Sequence, residues 1–272
     1  MVWLMGLYLF NFVAYLPLKI KKEVKIKGNF ALSLNMKSRG IVIRTIKYGE
    51  TSIITDIFTE DKGLATFIGG SVRTARSRMP MGLFQPMSPV EFICYWKSDV
   101  TAMHRLKECR PDVVRTGIPF DLGRGSVALF MAEVLRKCLQ TGEVNTDLFE
   151  YLTNTLYYLD STPNPISHIY LHFLVQLSGH LGFHPQMDEE GVYFDLREGA
   201  TTDIQPIHGQ SLSKEETKKL VALSTCDLSK VHQLQFSRAD RKAMLQKLLL
   251  YYQLHIPGFD NIHTPDVLEN VF

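Results

Sequence analysis

The chain has 272 residues, of which 45% are hydrophobic and 21% are charged. This composition is typical of a folded globular protein and excludes an intrinsically disordered chain. The formal net charge of +2 is distributed unevenly. Residues 36–118 contain thirteen Lys and Arg against eight Asp and Glu, whereas residues 119–272 contain twelve against nineteen. Residues 36–118, which we call the front half, are therefore the part to examine for binding to a polyanion.

The first 35 residues differ from the rest of the chain. Residues 1–20 are almost uncharged, and the basic stretch KKEVKIK follows them. A secretory signal carries its positive charge before the apolar run, so this order argues against one. The run is about long enough to span a membrane, although Asn11 and Pro17 interrupt it. Three interpretations stay open: a membrane anchor, an added strand or tail, and a misassigned start with translation beginning at Met36.

Residues 39–110 predict a small β-barrel. Five short segments are rich in branched residues or alternate in polarity, and turn signals separate them at 48–50, 60–63 and 97–99. Five such strands favour a closed or nearly closed barrel. The segments are GIVIRTIKY, TSIITDIFT, GLATFIGG, SPVEFICYW and VTAMHRLKEC.

The longest connection of this half, residues 69–86, joins the third and fourth predicted strands. It places Arg73, Arg76 and Arg78 within six positions and contains no carboxylate. Ordinary surfaces mix the two signs, and long connections are more often functional than decorative. We therefore expect a flexible arm that grips phosphates, with LFQP tying its far end back to the barrel.

Basic and aromatic residues alternate along the predicted barrel. Binding of single-stranded nucleic acid uses cations that follow the phosphates and aromatic faces that stack on bases. The alternative is that the aromatic residues form the barrel core and the charges protect strand edges. The aromatic residues concerned are Tyr48, Phe67, Phe84, Tyr95 and Trp96. The candidate phosphate contacts are Lys37, Arg39, Arg44, Lys47, Arg73, Arg76, Arg78, Arg105, Lys107 and Arg110.

After Pro119 the hydrophobic period becomes helical. Residues 127–138 repeat apolar positions at helical spacing, and residues 146–160 predict a second helix with Thr146 as its N-cap. A nearly all-apolar central helix is expected from Pro165 onward, and two more at about 213–224 and 238–254. Residues 185–210 and the tail after 254 are predicted to be irregular. This half is therefore a larger, acidic, all-helical domain.

Motifs for catalysis or metal binding are absent from the sequence. It has no Gly-rich phosphate loop followed by Lys and Ser or Thr, no nucleophile elbow and no dinucleotide fingerprint. The four cysteines are scattered without a C-x-x-C pair. The pairs His168/His172 and His180/His184 have helical i, i+4 spacing but lack a third ligand. We therefore predict no catalytic residue, no metal and no cofactor, which leaves a hydrolytic or nucleolytic enzyme as the weakest hypothesis.

Several motifs follow one another in a distinctive order from Met36 onward. They are the first strand pair around YGETS, the loop SVRTARSR with LFQP, and then LKECRP, IPFDLGRGSVALFMAEVLRKCL and HFLVQLSGHLGFHP. In their order and extent they resemble the bacterial RecO family of DNA repair proteins, the recombination mediators of the RecFOR pathway.

The resemblance implies an α+β multidomain protein, with a five-stranded OB-fold β-barrel at 36–115 and an all-helical domain at 116–272. It implies binding of single- and double-stranded DNA and annealing of complementary strands. It also implies joint action with RecR, which RecF often joins, to load RecA. The family's basic residues map onto Arg39, Arg44, Arg73, Arg76 and Arg78. Recognition of the C-terminal tail of single-stranded DNA-binding protein (SSB) has as its candidates Arg124, Arg136 and Lys137. The implied location is the cytoplasm, at the nucleoid, with no membrane.

One stretch departs from the family pattern. Many relatives have a four-cysteine zinc module after the central helix, where this chain has MDEEGVYFDLREGATTD without a cysteine. We therefore expect a zinc-less insertion at about 185–210. The leading hypothesis is a non-enzymatic DNA-binding mediator. The alternative is a membrane-associated interaction protein, anchored by its N-terminal apolar segment, whose basic β domain lies against anionic lipid.

Overall fold

A computed structural model describes residues 34–74, 76–188, 191–260 and 262–272, which form a closed β-barrel followed by a domain built mainly of helices. The strands neighbour one another in the order β1-β2-β3-β5-β4, and β4 pairs with β1 to close the barrel. Among these five described strands, β3 and β5 form the parallel pair and the other pairs are antiparallel. This is the arrangement of an OB-fold and confirms the predicted fold class. The strands are β1 Leu34–Tyr48, β2 Ser52–Thr59, β3 Gly63–Gly69, β4 Pro89–Trp96 and β5 His104–Pro111.

Strand β1 closes the barrel because it pairs with two neighbours. It begins five residues earlier than the sequence predicts, and its first half runs antiparallel to β4. Its second half pairs with β2 from Gly40 onward, and this pairing contains a register shift between Val42 and Arg44. A bulge of this kind bends a strand and increases its twist, which lets one strand serve two sides of a barrel.

The β3–β4 connection is anchored in the barrel core. Val72, Met79 and Phe84 are buried there, and a short 3-10 helix at Met81–Phe84 turns the chain back toward β4. The burial of Phe84 confirms that LFQP is tied to the barrel. The connection is nevertheless not the free arm predicted from the sequence, because Val72 and Met79 fix it close to the arginines as well. Arg76 and Arg78 lie on the exposed segment between these two anchors.

Six helices make up most of the second domain. The central one, α3, buries nine of its 12 residues, as its all-round hydrophobicity predicts. The others pack around it to form one core that also includes Ile41, Ile43, Phe58 and Met87 of the barrel. The helices are α1 Leu122–Cys138, α2 Thr146–Ser161, α3 Ile169–His180, α4 Lys214–Thr225, α5 Arg238–His255 and α6 Pro265–Val271.

Capping side chains fix the starts of α1, α2, α4 and α5, and the starts of α2 and α3 differ from prediction. The amide of Leu148 donates to Asn145, so Asn145 and not Thr146 caps α2. Helix α3 begins at Ile169, four residues after Pro165. The predicted start of α4 near residue 213 is confirmed, since Ser213 and Glu216 form a reciprocal capping box.

Two regions predicted to be irregular have regular structure. A small sheet is formed by β6 Tyr193–Asp195, β7 Ala200–Thr202 and β8 Ser211–Leu212. Its strands are too short to show a period, but Phe194 and Leu212 bury them against the helical core. The tail forms α6 because the Glu133 carboxylate accepts hydrogen bonds from the backbone just before it. The second domain is thus helical with a small sheet, and its predicted boundary at residues 115 and 116 stays a prediction.

The two domains are joined by direct contacts along β1, β2 and α2. The Arg39 guanidinium lies 3.2 Å from Asp112 and 3.5 Å from Glu60, and 5.6 Å above the Phe149 ring of α2. Close by, the α1–α2 loop reaches the β2–β3 hairpin, where the Gly142 amide donates to the Leu64 carbonyl. Arg39 therefore links the barrel to the helical domain.

Replacing Phe84 by Ala tests the anchoring of the β3–β4 connection. We expect the free energy of unfolding to fall by about 3–5 kcal/mol, because a fully buried aromatic ring is removed. Leu83→Ala, at a half-buried neighbour, is the control and should cost less than half as much. Chemical denaturation measures both; a loss below about 1 kcal/mol for Phe84→Ala would contradict the anchoring.

Replacing Arg39 by Met tests the domain junction. Loss of two partly exposed ion pairs and of the contact with Phe149 should lower the free energy of unfolding by about 1–2 kcal/mol. Arg44→Met, on the same strand and exposed, is the matched control and should change it by less than about 0.5 kcal/mol. Equal effects in thermal or urea unfolding would show that Arg39 is not a junction residue.

Candidate nucleic-acid interface

A continuous open groove runs between the β3–β4 connection and the outer face of β1, β4 and β5. It consists of two adjoining cavities of about 930 Å³ and about 700 Å³, which share Gly70, Ser71, Met79 and Lys107. We call it the β5 groove. Seven cationic side chains line it, and they come from β1, β5, the loop and the end of β4: Lys37, Arg76, Arg78, Lys97, Arg105, Lys107 and Arg110.

A β-bulge brings three cations of β5 to the same side of the barrel. Strict alternation would place Arg105 and Lys107 outward and then turn Arg110 inward. The pairing with β4 skips Lys107, since Ile93 faces Glu108 and Cys94 faces Leu106. The extra residue resets the alternation, so that Cys109 is buried and Arg110 is exposed.

Arg76 and Arg78 form the loop side of the groove. Both side chains are exposed, and among the described residues neither has an ion-pair or hydrogen-bond partner. The turn that carries them is held by Ser77, whose hydroxyl donates to the Met79 carbonyl and accepts from the Met79 amide. Two unpaired guanidinium groups on a held turn are suited to contact an anion from outside.

Two carboxylates lie in the same groove. Arg110 donates to Glu91 from two nitrogens at 2.5 and 3.1 Å, and the Lys37 ammonium lies 3.5 Å from the same oxygen. The hydrogen bond from Arg110 lowers the pKa of Glu91 below its usual value. Glu108 is exposed and, within the described ranges, has no cationic partner.

Of the five predicted aromatic candidates, all of which the structure describes, Tyr95 lines the groove. It is 39% exposed and faces Arg105 in the strand register. Phe67 and Phe84 are buried in the barrel core, as the alternative interpretation holds. Trp96 stacks on the buried His104 at 3.7 Å between ring centroids. Tyr48 is exposed, but at the β1–β2 turn outside the groove.

Four of the ten predicted phosphate contacts lie away from the groove. Arg39 is at the domain junction described above. Arg44 and Lys47 are exposed on the second half of β1, which pairs with β2. Arg73 donates at 3.0 Å to the Gly49 carbonyl of the β1–β2 turn, so it is separated from its loop neighbours. The structure brings together Lys37, Arg76, Arg78, Arg105, Lys107 and Arg110.

Sequence reasoning missed Lys97 and Glu91. Lys97 follows Tyr95 and Trp96 at the end of β4, and the sequence reading took it only as a turn marker. The available signal was its position two residues after Tyr95, a residue already considered for stacking on bases. The pairing of Glu91 with Arg110 could not be found in this way, because 19 residues and a strand register separate the two.

The three helical-domain candidates have different surroundings. Arg124 donates to the carbonyls of Leu159, Asp160 and Thr162 and so caps the C-terminus of α2. Lys137 is paired with Asp260 at 3.0 Å, and Arg136 is exposed beside it. A cavity of about 250 Å³ adjoins the end of α1 and is lined by apolar residues such as Leu139, Phe183 and Ile256, together with polar ones.

The histidine pairs make packing contacts. His172 lies 2.9 Å from the Cys226 carbonyl, and His184 lies 3.1 Å from the Ser224 hydroxyl. His168 packs edge-on against Phe236, and His180 stacks on Tyr151. Within the described part of the chain, no group of three or more His, Cys, Asp or Glu side chains could hold a metal ion.

Among the residues that the structure describes, no helix is long enough and hydrophobic enough to cross a membrane. The proposed anchor at residues 1–20 lies outside the described residues, as does most of the segment for which a tail or a start at Met36 was considered.

Comparison with known proteins matches both halves of the chain to one family. Residues 33–111 match the family model described as Recombination protein O N terminal, and residues 119–261 match Recombination protein O C terminal. DNA repair protein RecO of Phocaeicola vulgatus is 32% identical over 238 residues, covering 87% of this chain and 98% of the relative. The RecO of Bacteroides fragilis is 31% identical over 239 residues, with the same coverage, and that of Flavobacterium johnsoniae is 29% identical over 249, covering 88% and 100%. The chain therefore belongs to the RecO family of DNA repair proteins.

Proposed function

We propose that the chain is a non-enzymatic recombination mediator that binds DNA through the β5 groove. The observation that carries this is the groove itself, where seven cations from separate elements converge and the two loop arginines are unpaired in the described structure. A surface that collects one sign of charge along a continuous groove attracts a polyanion. Membership of a DNA repair family supports DNA as that polyanion.

The lining of the groove favours contact with the backbone over reading of bases. Arg76 and Arg78 would contact phosphates from the loop, and Arg105 and Lys107 from the strand. Cations that contact phosphates hold the strand without reading its sequence. Tyr95 offers a ring beside them, on which an unpaired base would stack. Neutralising phosphates on one strand lowers its repulsion for a complementary strand, which supports annealing of single strands and binding of duplex DNA.

Partner binding is proposed for the helical domain. We propose that the C-terminal tail of SSB binds at the end of α1, where the exposed Arg136 and the half-buried Lys137 precede Cys138, which lines the partly apolar cavity. An acidic tail with apolar residues would need both features. Arg124 is less suited, because its donors cap α2. Joint action with RecR, which RecF often joins in the family, to load RecA, and a cytoplasmic location at the nucleoid, complete the proposal.

Arg76→Gln/Arg78→Gln is the direct test of the groove. We expect affinity for a labelled single-stranded oligonucleotide to fall about tenfold at low salt. The slope of log K against log[salt] should flatten by about 1.4, since each phosphate contact on a single strand contributes about 0.7. Fluorescence anisotropy over a salt series measures both quantities.

Arg44→Gln/Lys47→Gln is the matched control, because it removes the same charge from the same barrel outside the groove. Its slope should stay within about 0.3 of the wild-type value. If both doubles flatten the slope equally, binding follows the overall charge of the barrel and the groove is not the site.

Tyr95→Ala tests the stacking contact. We expect affinity for single-stranded DNA to fall at least about fivefold, because stacking of a base on an aromatic ring contributes about 1–3 kcal/mol. Affinity for duplex DNA should change less than twofold, since its bases are already stacked. Tyr48→Ala, at an exposed tyrosine outside the groove, is the control; an equal loss in both variants would rule out stacking on Tyr95.

A further inference from the structure

One end of the β5 groove already contains an anion that belongs to the protein. The Glu91 oxygen Oε2 accepts hydrogen bonds from Nε and Nη2 of Arg110 and lies 3.5 Å from the Lys37 ammonium. One carboxylate oxygen thus engages two of the seven cations that line the groove.

The geometry around Glu91 matches that of a bound phosphate. A phosphate oxygen in the same place would be contacted by the same guanidinium and the same ammonium. Glu91 is also held there, because its strand neighbours are fixed in register: Arg39 on β1 and Arg110 on β5 face it from either side. Its side chain is 23% exposed, whereas those of Lys37 and Arg110 are 65% and 69% exposed. The two cations are therefore accessible to DNA, while the less exposed carboxylate of Glu91 remains paired with them.

Other charges near this end do not change the arrangement. Asp112 attracts Arg110 at longer range but is hydrogen-bonded to Arg39 at 3.2 Å. Glu108 lines the groove on β5 without a cationic partner in the described structure. Glu91 is the carboxylate that meets Lys37 and Arg110 directly.

We propose that Glu91 is an internal competitor for DNA phosphate, which occupies Lys37 and Arg110 and keeps DNA binding at this end of the groove weak and reversible. The inference rests on the function proposed above. DNA must either displace Glu91 or leave this end of the groove unused. The firm phosphate contacts are then Arg76, Arg78, Arg105 and Lys107. A mediator must transfer its bound strand to other proteins, and weaker binding at this end of the groove would make that transfer easier.

Glu91→Gln tests this, with Glu108→Gln as the matched control. Both variants remove one negative charge from the groove, but only the first frees two cations. We expect Glu91→Gln to raise affinity for labelled oligo(dT) about threefold beyond the effect of Glu108→Gln, which is the scale of an exposed ion pair. Its salt slope should be steeper by about 0.7–1.4, corresponding to one or two added phosphate contacts. Equal melting temperatures of the two variants and the wild type show that the fold is kept.

Arg110→Gln in two backgrounds gives an independent readout. In the wild-type background it should flatten the salt slope by less than about 0.3, because Arg110 is engaged by Glu91. In the Glu91→Gln background it should flatten the slope by about 0.7, since the freed Arg110 then contacts a phosphate.

The outcomes separate this inference from the proposed function. If Glu91→Gln lowers affinity, Glu91 positions Arg110 for DNA and the competitor role is wrong. If Glu91→Gln and Glu108→Gln behave alike, or Arg110→Gln has the same effect in both backgrounds, it is equally wrong, while DNA binding by the groove stands. Absence of salt-dependent binding by the wild-type protein would overturn the proposed function and this inference together.

Discussion

The burial of Val72, Met79 and Phe84 in the barrel core is the constraint on which the candidate site depends. These three side chains hold the β3–β4 connection against the barrel. The connection therefore forms one wall of the β5 groove, and the outer face of β1, β4 and β5 forms the other. Without them, Arg76 and Arg78 would sit on a loose segment and lose conformational freedom on binding. With them, the loop arginines face Lys107 and Arg110 across a groove that exists before any ligand arrives.

Five cations of the barrel differ in what holds them. Arg39 stabilises the domain junction, where it contacts two carboxylates and the Phe149 ring. Lys37 and Arg110 share Glu91, and Arg76 and Arg78 are free of partners within the described structure. A count of basic residues treats these as equal. Their contribution to binding an outside anion differs, because a cation that is already paired must exchange one partner for another.

The helical domain shows the same difference between a residue's type and its role. Arg124 in the first turn of α1 was a candidate for partner binding, yet its three hydrogen bonds satisfy carbonyls at the end of α2. The small sheet β6–β8 lies mostly in a stretch that was predicted to be irregular. Phe194 and Leu212 attach it to the helical core through apolar burial. Burial of this kind stabilises a short sheet.

The sequence by itself determined the barrel, most of the helices and the family. Alternation with a period of two and the change to a helical period after Pro119 are local properties that neighbouring residues carry together. The start of α4 near residue 213 and the anchoring of LFQP to the barrel were predictable for the same reason. The basic loop was found because charge of one sign is visible in a single stretch.

Only the tertiary structure decided which of the ten candidate cations share a surface. The bulge at Lys107, the exclusion of Arg39 and Arg73 from the groove, and the Glu91–Arg110 pair all depend on strand register and on contacts between distant segments. Register is set by how the whole barrel closes, and shifting it by one residue moves every side chain to the opposite face. No local pattern contains that information, which is why the type of each residue was readable from the sequence and its partner was not.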